Sequence, residues 1–235
     1  MTGNNIALLQ RMGALKTTAF ASLAAQIFTG IVDLYVLTMP VAMEYLLLKQ
    51  LLALEFLVQF IEAIFYVWLA VYISTAVRIT QKRYYDWAIT TPVMLITLSS
   101  YLIYLRITET QGSEAIPSFL DIIENNYVNF IKIVILNALM LLFGYLGEIN
   151  VLKTVPSVIA GFIPFFAMFY LIYDKYAKYT TSGLLLFYYF VVVWALYGVA
   201  ALMSYKWKNT SYNILDLFSK NFFGLFLAYL IVRAH

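Results

Sequence analysis

Seven stretches of about 20 or more mostly apolar residues constrain this chain more than any other feature. They lie at approximately 12–37, 44–74, 83–105, 126–147, 155–173, 183–205 and 210–233, each bounded by charged residues, Gly, Pro or Asn. A bilayer core about 30 Å thick is crossed by roughly 20 apolar residues in an α-helix. In lipid, backbone polar groups must be bonded within the segment, so an apolar run of this length reads as a helix. Charge agrees with that reading. Only 11% of residues are charged, against about 25% in soluble domains, too few to solvate the surface of a chain this long. The sequence therefore predicts an all-α membrane protein, with residues 1–235 forming a single seven-helix domain whose solvent is the lipid bilayer.

Several function classes drop out. The chain has no cysteine, which removes disulfides, thiolate chemistry and thiolate-held metals. Its one histidine is His235, so a metal site or a histidine-based catalytic centre is not expected, and neither is an enzyme. A net charge of +3 gives no basic footprint for a nucleic-acid partner. The first 20 residues lack the pattern of a cleaved leader, so the first helix is expected to insert uncleaved. One connection, Ile107 to Asn125, is longer and acidic (Glu109, Glu114, Asp121, Glu124), and its Pro117–Ile123 stretch is expected to form a short surface helix. Orientation is weakly marked. Arg11, Lys16, Arg78, Lys82, Arg83, Lys153, Lys206 and Lys208 lie at helix ends on the N-terminal side, against Lys49, Arg106, Lys132, Lys175, Lys178 and Arg233 on the other. Taken alone, this bias places the N-terminus in the cytoplasm.

The residues that break the apolar pattern are the informative ones. A charge near the bilayer centre costs about 2.5–3.5 kcal/mol on insertion scales and faces the bundle interior or water. Lys220 lies in the middle of the seventh stretch with Asp216 four residues before it, on the same helix face and about 6 Å away along the axis. One reading is a self-neutralising ion pair. The other is a lysine held in an apolar pocket, where loss of its proton favours attack on a carbonyl and a nearby carboxylate then serves the charged product. In the third stretch Arg83, Asp86 and Thr90 share a face. Lys220 and Arg83 balance Asp86 and Asp216, although an ion-pair network in a transporter would look similar.

These residues carry a resemblance. Arg83-Tyr84-Tyr85-Asp86-Trp87-Ala88-Ile89-Thr90-Thr91-Pro92 resembles the third helix of microbial rhodopsins. Leu215-Asp216-Leu217-Phe218-Ser219-Lys220-Asn221 resembles their seventh, where the lysine binds retinal. The resemblance implies a seven-helix bundle with all-trans retinal in its core, joined to Lys220 as a Schiff base. Asp86 and Asp216 would be its counter-ions, with Arg83 and Thr90 beside them. Tyr66, Trp87, Met94, Met140, Gly144, Met168, Trp194 and Tyr197 fall where that family lines the chromophore, although the proline that usually follows the sixth-helix pair is Gly198 here. It also implies an extracellular N-terminus and a cytoplasmic C-terminus, which we let override the charge count. Relatives form dimers, trimers or pentamers, so a homo-oligomer is an option.

The family pumps ions, signals or conducts, and fold does not choose among these. In proton-pumping relatives the third helix carries Asp, Thr and a second carboxylate; here these positions are Asp86, Thr90 and Thr97, and Thr97 cannot act as that donor. An acidic release pair near the outer end of helix seven is not apparent either, since Lys206 and Lys208 occupy the region. Polar stripes stand out instead. Thr18, Ser22, Gln26, Thr29 and Asp33 share one face of the first helix, and Glu44, Glu55, Gln59, Glu62 and Tyr66 one face of the second. Glu55 and Glu62 are two turns apart, about 10.5 Å, and Asn213, Asp216 and Asn221 add to them from the seventh. Polar glue between helices explains the hydroxyl and amide residues. It explains glutamates without cationic partners poorly, and Lys49 can serve Glu44 at most. By resemblance, Ser22, Glu62 and Asn221 match the mid-membrane constriction of channelrhodopsins, with Glu55 and Glu44 towards the cytoplasmic mouth. A compact version of this arrangement occurs in the group-one rhodopsins of giant viruses. The expectation is a light-gated cation channel passing monovalent cations or protons. The alternative is an outward light-driven proton pump, with Glu55 as a displaced cytoplasmic proton donor.

Overall fold

The computed structural model describes residues 3–73, 78–112 and 116–234, with side chains from residue 13 onward. His235, Glu114 and the side chain of Arg11 lie outside the described residues. The chain forms α1 (Gly3–Thr38), α2 (Leu46–Tyr72), α3 (Ile79–Gln111), α4 (Phe119–Glu148), α5 (Thr154–Lys175), α6 (Thr181–Ala201) and α7 (Tyr205–Ala234). Seven helices are long and apolar enough to cross a membrane. The protein is an integral, multi-pass membrane protein. Successive helices pack side by side, α7 closes the ring against α1, and its C-terminal half also packs on α2. The most enclosed helix is α3, and the least is α4.

Polarity is turned inward, as lipid requires. On α1, Phe20, Ile27, Phe28, Ile31 and Leu34 face out, while Ser22, Gln26, Thr29 and Asp33 are buried. The predicted stripe on α2 is buried likewise at Glu55, Gln59, Glu62 and Tyr66. Glu44 belongs to a 3-10 turn (Met43–Tyr45) ahead of that helix.

Helix ends depart from the expected bounds wherever apolar character stops before helical character does. The expected surface helix at Pro117–Ile123 is absent as a separate element: Phe119 onward is the first turn of α4 itself. Ser118 caps it, its hydroxyl accepting from the Asp121 N–H while the Asp121 carboxylate accepts from the Ser118 N–H, a reciprocal pair that satisfies two free helix-end donors. At the other side of the loop, α3 runs on to Gln111 and stops where Gly112 takes φ +83°, a conformation glycine adopts without penalty. Helix seven starts at Tyr205, five residues earlier than expected, and α6 ends at Ala201. Lys49 does not serve Glu44; its ammonium donates to the Met39 carbonyl at 2.7 Å.

α7 is not regular. Leu217–Asn221 forms a π-helical turn between two α-helical halves. Such single wide turns interrupt the usual bonding ladder and concentrate at functional sites. Lys220 sits within it.

Candidate functional site

The Lys220 ammonium is buried, and three carboxylates surround it. Its Nζ lies 2.9 Å from Asp86 Oδ2 on α3, 3.1 Å from Glu62 Oε1 on α2 and 4.0 Å from Asp216 Oδ1 on α7. The two nearest partners thus come from other helices. Asp216, one turn before the lysine, is engaged mainly elsewhere. Arg83 donates to its Oδ2 at 3.1 Å, Tyr66 OH to the same oxygen at 2.6 Å and Tyr197 OH to Oδ1 at 2.7 Å. Asn209 and Asn213 hold the rest of the guanidinium, and Phe65 stacks beneath it at 4.9 Å, a cation–π contact. Thr90 donates to the Asp86 backbone carbonyl at 3.0 Å, leaving Asp86 Oδ1 without a partner.

Counting charges changes the balance expected from the sequence. Arg83 and Lys220 face three carboxylates, because Glu62 joins the cluster rather than standing apart as a carboxylate without a cation. A buried pair is held together only while both members are charged and bonded; removing one typically costs about 3–5 kcal/mol. Proton or charge movement at Lys220 is therefore felt at once on α2, α3 and α7.

A cavity runs from Lys220 between α3, α4, α5 and α6. Trp87, Met94, Met140, Gly144, Trp194 and Tyr197 line it. Tyr66 does not; it stands behind Asp216. Met168 is buried in the core outside the cavity wall. Four further aromatics line it, Tyr84, Phe162, Phe165 and Tyr212; Tyr84 and Tyr212 contact Trp87 edge-on at 5.1 Å each. Gly144 and Gly198 make space by close approach. A Cβ on Gly144 would come 2.6 Å from the Tyr84 hydroxyl, and one on Gly198 would come 2.5 Å from Phe162. Gly198 thus stands in place of the expected proline because the Phe162 ring occupies the room that proline would take. The cavity suits an apolar molecule that carries a carbonyl: its walls are aromatic and thioether, and the one amine among its lining residues is backed by three carboxylates. The Trp194 Nε1 has no hydrogen-bond partner among the described residues.

On the far side of Lys220, between α1, α2 and α7, the polar stripes meet. Gln26 donates to Glu62 Oε2 at 2.5 Å and exchanges two amide hydrogen bonds with Asn221, each 3.0 Å. The side chain that joins Glu62 to Asn221 is therefore Gln26, not Ser22. Ser22 lies one turn away, donating to the Asn213 carbonyl at 2.8 Å. Glu55 is fully buried beside Thr97, and among the described residues neither of its carboxylate oxygens has a partner at hydrogen-bonding geometry.

The profile of the bacteriorhodopsin-like protein family matches residues 14–234. The chain belongs to that family. Among curated relatives of this microbial rhodopsin is a green-light absorbing proteorhodopsin from Gamma-proteobacterium EBAC31A08. It is 27% identical over an alignment of 177 positions that covers 67% of this chain and 63% of the relative; the match spans less than two thirds of that protein. Among solved structures, the viral rhodopsin OLPVRII superposes with a TM-score of 0.80 at 28% identity, covering 94% of this chain and 99% of that one. A blue light-absorbing proteorhodopsin from Med12 shares the fold, with a TM-score of 0.70 at 22% identity over 93% of this chain and 96% of its own.

Proposed function

We propose that this microbial rhodopsin binds all-trans retinal on Lys220 and acts as a light-gated cation channel, with its N-terminus extracellular. The observation that carries the reading is the position of Glu62. One carboxylate oxygen pairs with Lys220 and the other accepts from Gln26, so a single side chain ties the chromophore site to the polar seam between α1, α2 and α7. Retinal, joined to Nζ through its carbonyl carbon with loss of water, supplies light absorption and isomerisation.

The residues do the rest. Asp86, 2.9 Å from Nζ, takes the proton when light displaces it. Glu62 then faces a neutral nitrogen and loses its cationic partner. Its grip on Gln26 changes, the Gln26–Asn221 amide pair that bridges α1 and α7 loosens, and water enters the seam. The carboxylates of Glu62 and Glu55 bias the wetted path towards cations, with Glu44 at its mouth. Ser22 contributes on the other side of the constriction through Asn213.

A light-driven outward proton pump is the second reading, favoured by the full burial of Glu55 as a carboxyl without a bound donor. Photocurrent against voltage in symmetric salt separates them. A channel gives a current that reverses near zero and follows the cation gradient. A current that stays outward at every voltage and persists without a gradient overturns the channel.

A further inference from the structure

The wide turn in α7 releases a main-chain oxygen. In a regular α-helix the Phe222 N–H would donate to the carbonyl four residues back, that of Phe218. Here it donates to the Leu217 carbonyl, five residues back, and α-helix resumes at Phe222. The Phe218 carbonyl is thereby freed from that bond, two residues before Lys220. Its depth makes a bare carbonyl costly. Phe218 lies near the middle of α7 (Tyr205–Ala234), its side chain faces lipid at 52% exposed, and lipid holds no water to satisfy the oxygen.

Tyr189 of α6 supplies the donor. Its hydroxyl donates to the Phe218 oxygen at 2.6 Å, and its ring packs on that of Phe222 with centroids 4.6 Å apart. Tyrosines of membrane helices gather at the headgroup level, where the hydroxyl meets water. Tyr189 sits instead near the middle of α6 (Thr181–Ala201), where only a protein acceptor can serve it. From the cavity side, Tyr197 of the same helix donates to Asp216 at 2.7 Å and shares a 2.8 Å hydrogen bond with Ser219. Two phenols of one helix thus hold the turn that carries Lys220, one from the cavity and one from the lipid face.

We propose that Tyr189 is a positioning residue for the chromophore lysine: by occupying the freed Phe218 carbonyl it fixes the wide turn, and with it the reach of the Lys220 nitrogen towards Asp86 and Glu62. The inference rests on the reading that Lys220 carries retinal. Without the phenol, the Phe218 oxygen regains a partner only if the turn re-forms, and the backbone under Lys220 moves with it. The nitrogen stands 2.9 Å from Asp86 and 3.1 Å from Glu62. A retreat of about half an ångström from both would remove about a seventh of each attraction, in sum about a quarter of what Asp86→Asn removes.

The test compares wild type with Tyr189→Phe, which deletes only the hydroxyl, in two measurements. Solid-state NMR of protein labelled at the Phe carbonyl carbon and the Ser nitrogen reads the Phe218 carbonyl alone, because Phe218–Ser219 is the only Phe–Ser step in the chain. The absorption spectrum after adding retinal reads the lysine. In Tyr189→Phe the Phe218 resonance should move upfield, as for a carbonyl that has lost a donor. The visible band should move to longer wavelength by about a quarter of the Asp86→Asn shift. Tyr188→Phe, at the lipid-facing neighbour, should do neither. An unmoved Phe218 resonance overturns the proposal, as do equal effects in Tyr188→Phe. A moved resonance beside an unmoved band also overturns it, since the bond would then hold α6 to α7 without placing the lysine. Wild-type protein that gains no visible band removes the retinal reading and this inference with it.

Discussion

Replacing Glu62 with Gln removes one negative charge at nearly constant shape, and its effect can be worked from the three distances around Lys220. With an effective dielectric constant near 20, unit charges at 3.1 Å attract by about 5 kcal/mol, against about 6 kcal/mol for Asp86 at 2.9 Å and about 4 kcal/mol for Asp216 at 4.0 Å. Glu62 therefore contributes about a third of the field that holds positive charge on the nitrogen. The amide carbonyl introduced by the substitution can still accept from Gln26, so the seam keeps its hydrogen bond. Excitation moves positive charge away from the nitrogen, so carboxylates stabilise the ground state more than the excited state. Glu62→Gln should shift the visible band to longer wavelength, by at least about half the shift of Asp86→Asn, since their fields are similar. Absorption spectra of the two purified variants decide it. A Glu62→Gln band that coincides with wild type, beside a clear Asp86→Asn shift, would refute the pairing of Glu62 with Lys220.

Arg83→Gln leaves Asp216 buried with two tyrosine hydroxyls and the Lys220 ammonium 4.0 Å away but no guanidinium; we expect a loss of about 3 kcal/mol, read as a lower thermal midpoint of helical circular dichroism in detergent. Gly147→Ala places a Cβ inside the Ser157 side chain, where α4 meets α5. It should cost about 1–3 kcal/mol as overpacking, and adding Ser157→Gly should recover most of it, the non-additivity of contacting sites.

Much of this was legible in the sequence because lipid imposes simple rules. Apolar runs of helical length marked the seven helices, and a lysine in mid-helix marked the site. The inward stripe on α1, from Ser22 to Asp33, could be read from spacing alone, since a side chain's face follows from its register. What could not be read is how far one helix slides or turns against another. Ser22 misses Glu62 by one turn and Gln26 takes its place, a matter of the axial offset between α1 and α2. Lys220, which Glu62 reaches, lies within a π turn of α7, and such turns carry no sequence signature comparable to Pro or Gly. The start of α4 is different. Ser118 and Asp121 form the spacing of a capping box, a signal in the sequence that places the start of α4 at Phe119.

The central claim is that Lys220, held among Asp86, Glu62 and Asp216, is where a retinal chromophore attaches. The direct measurement is the absorption spectrum of purified protein before and after adding all-trans retinal, beside Lys220→Ala treated identically. The account predicts a visible band, red of free retinal, in the wild type and none in the variant. A colourless wild type, or a band of equal strength in Lys220→Ala, would contradict it.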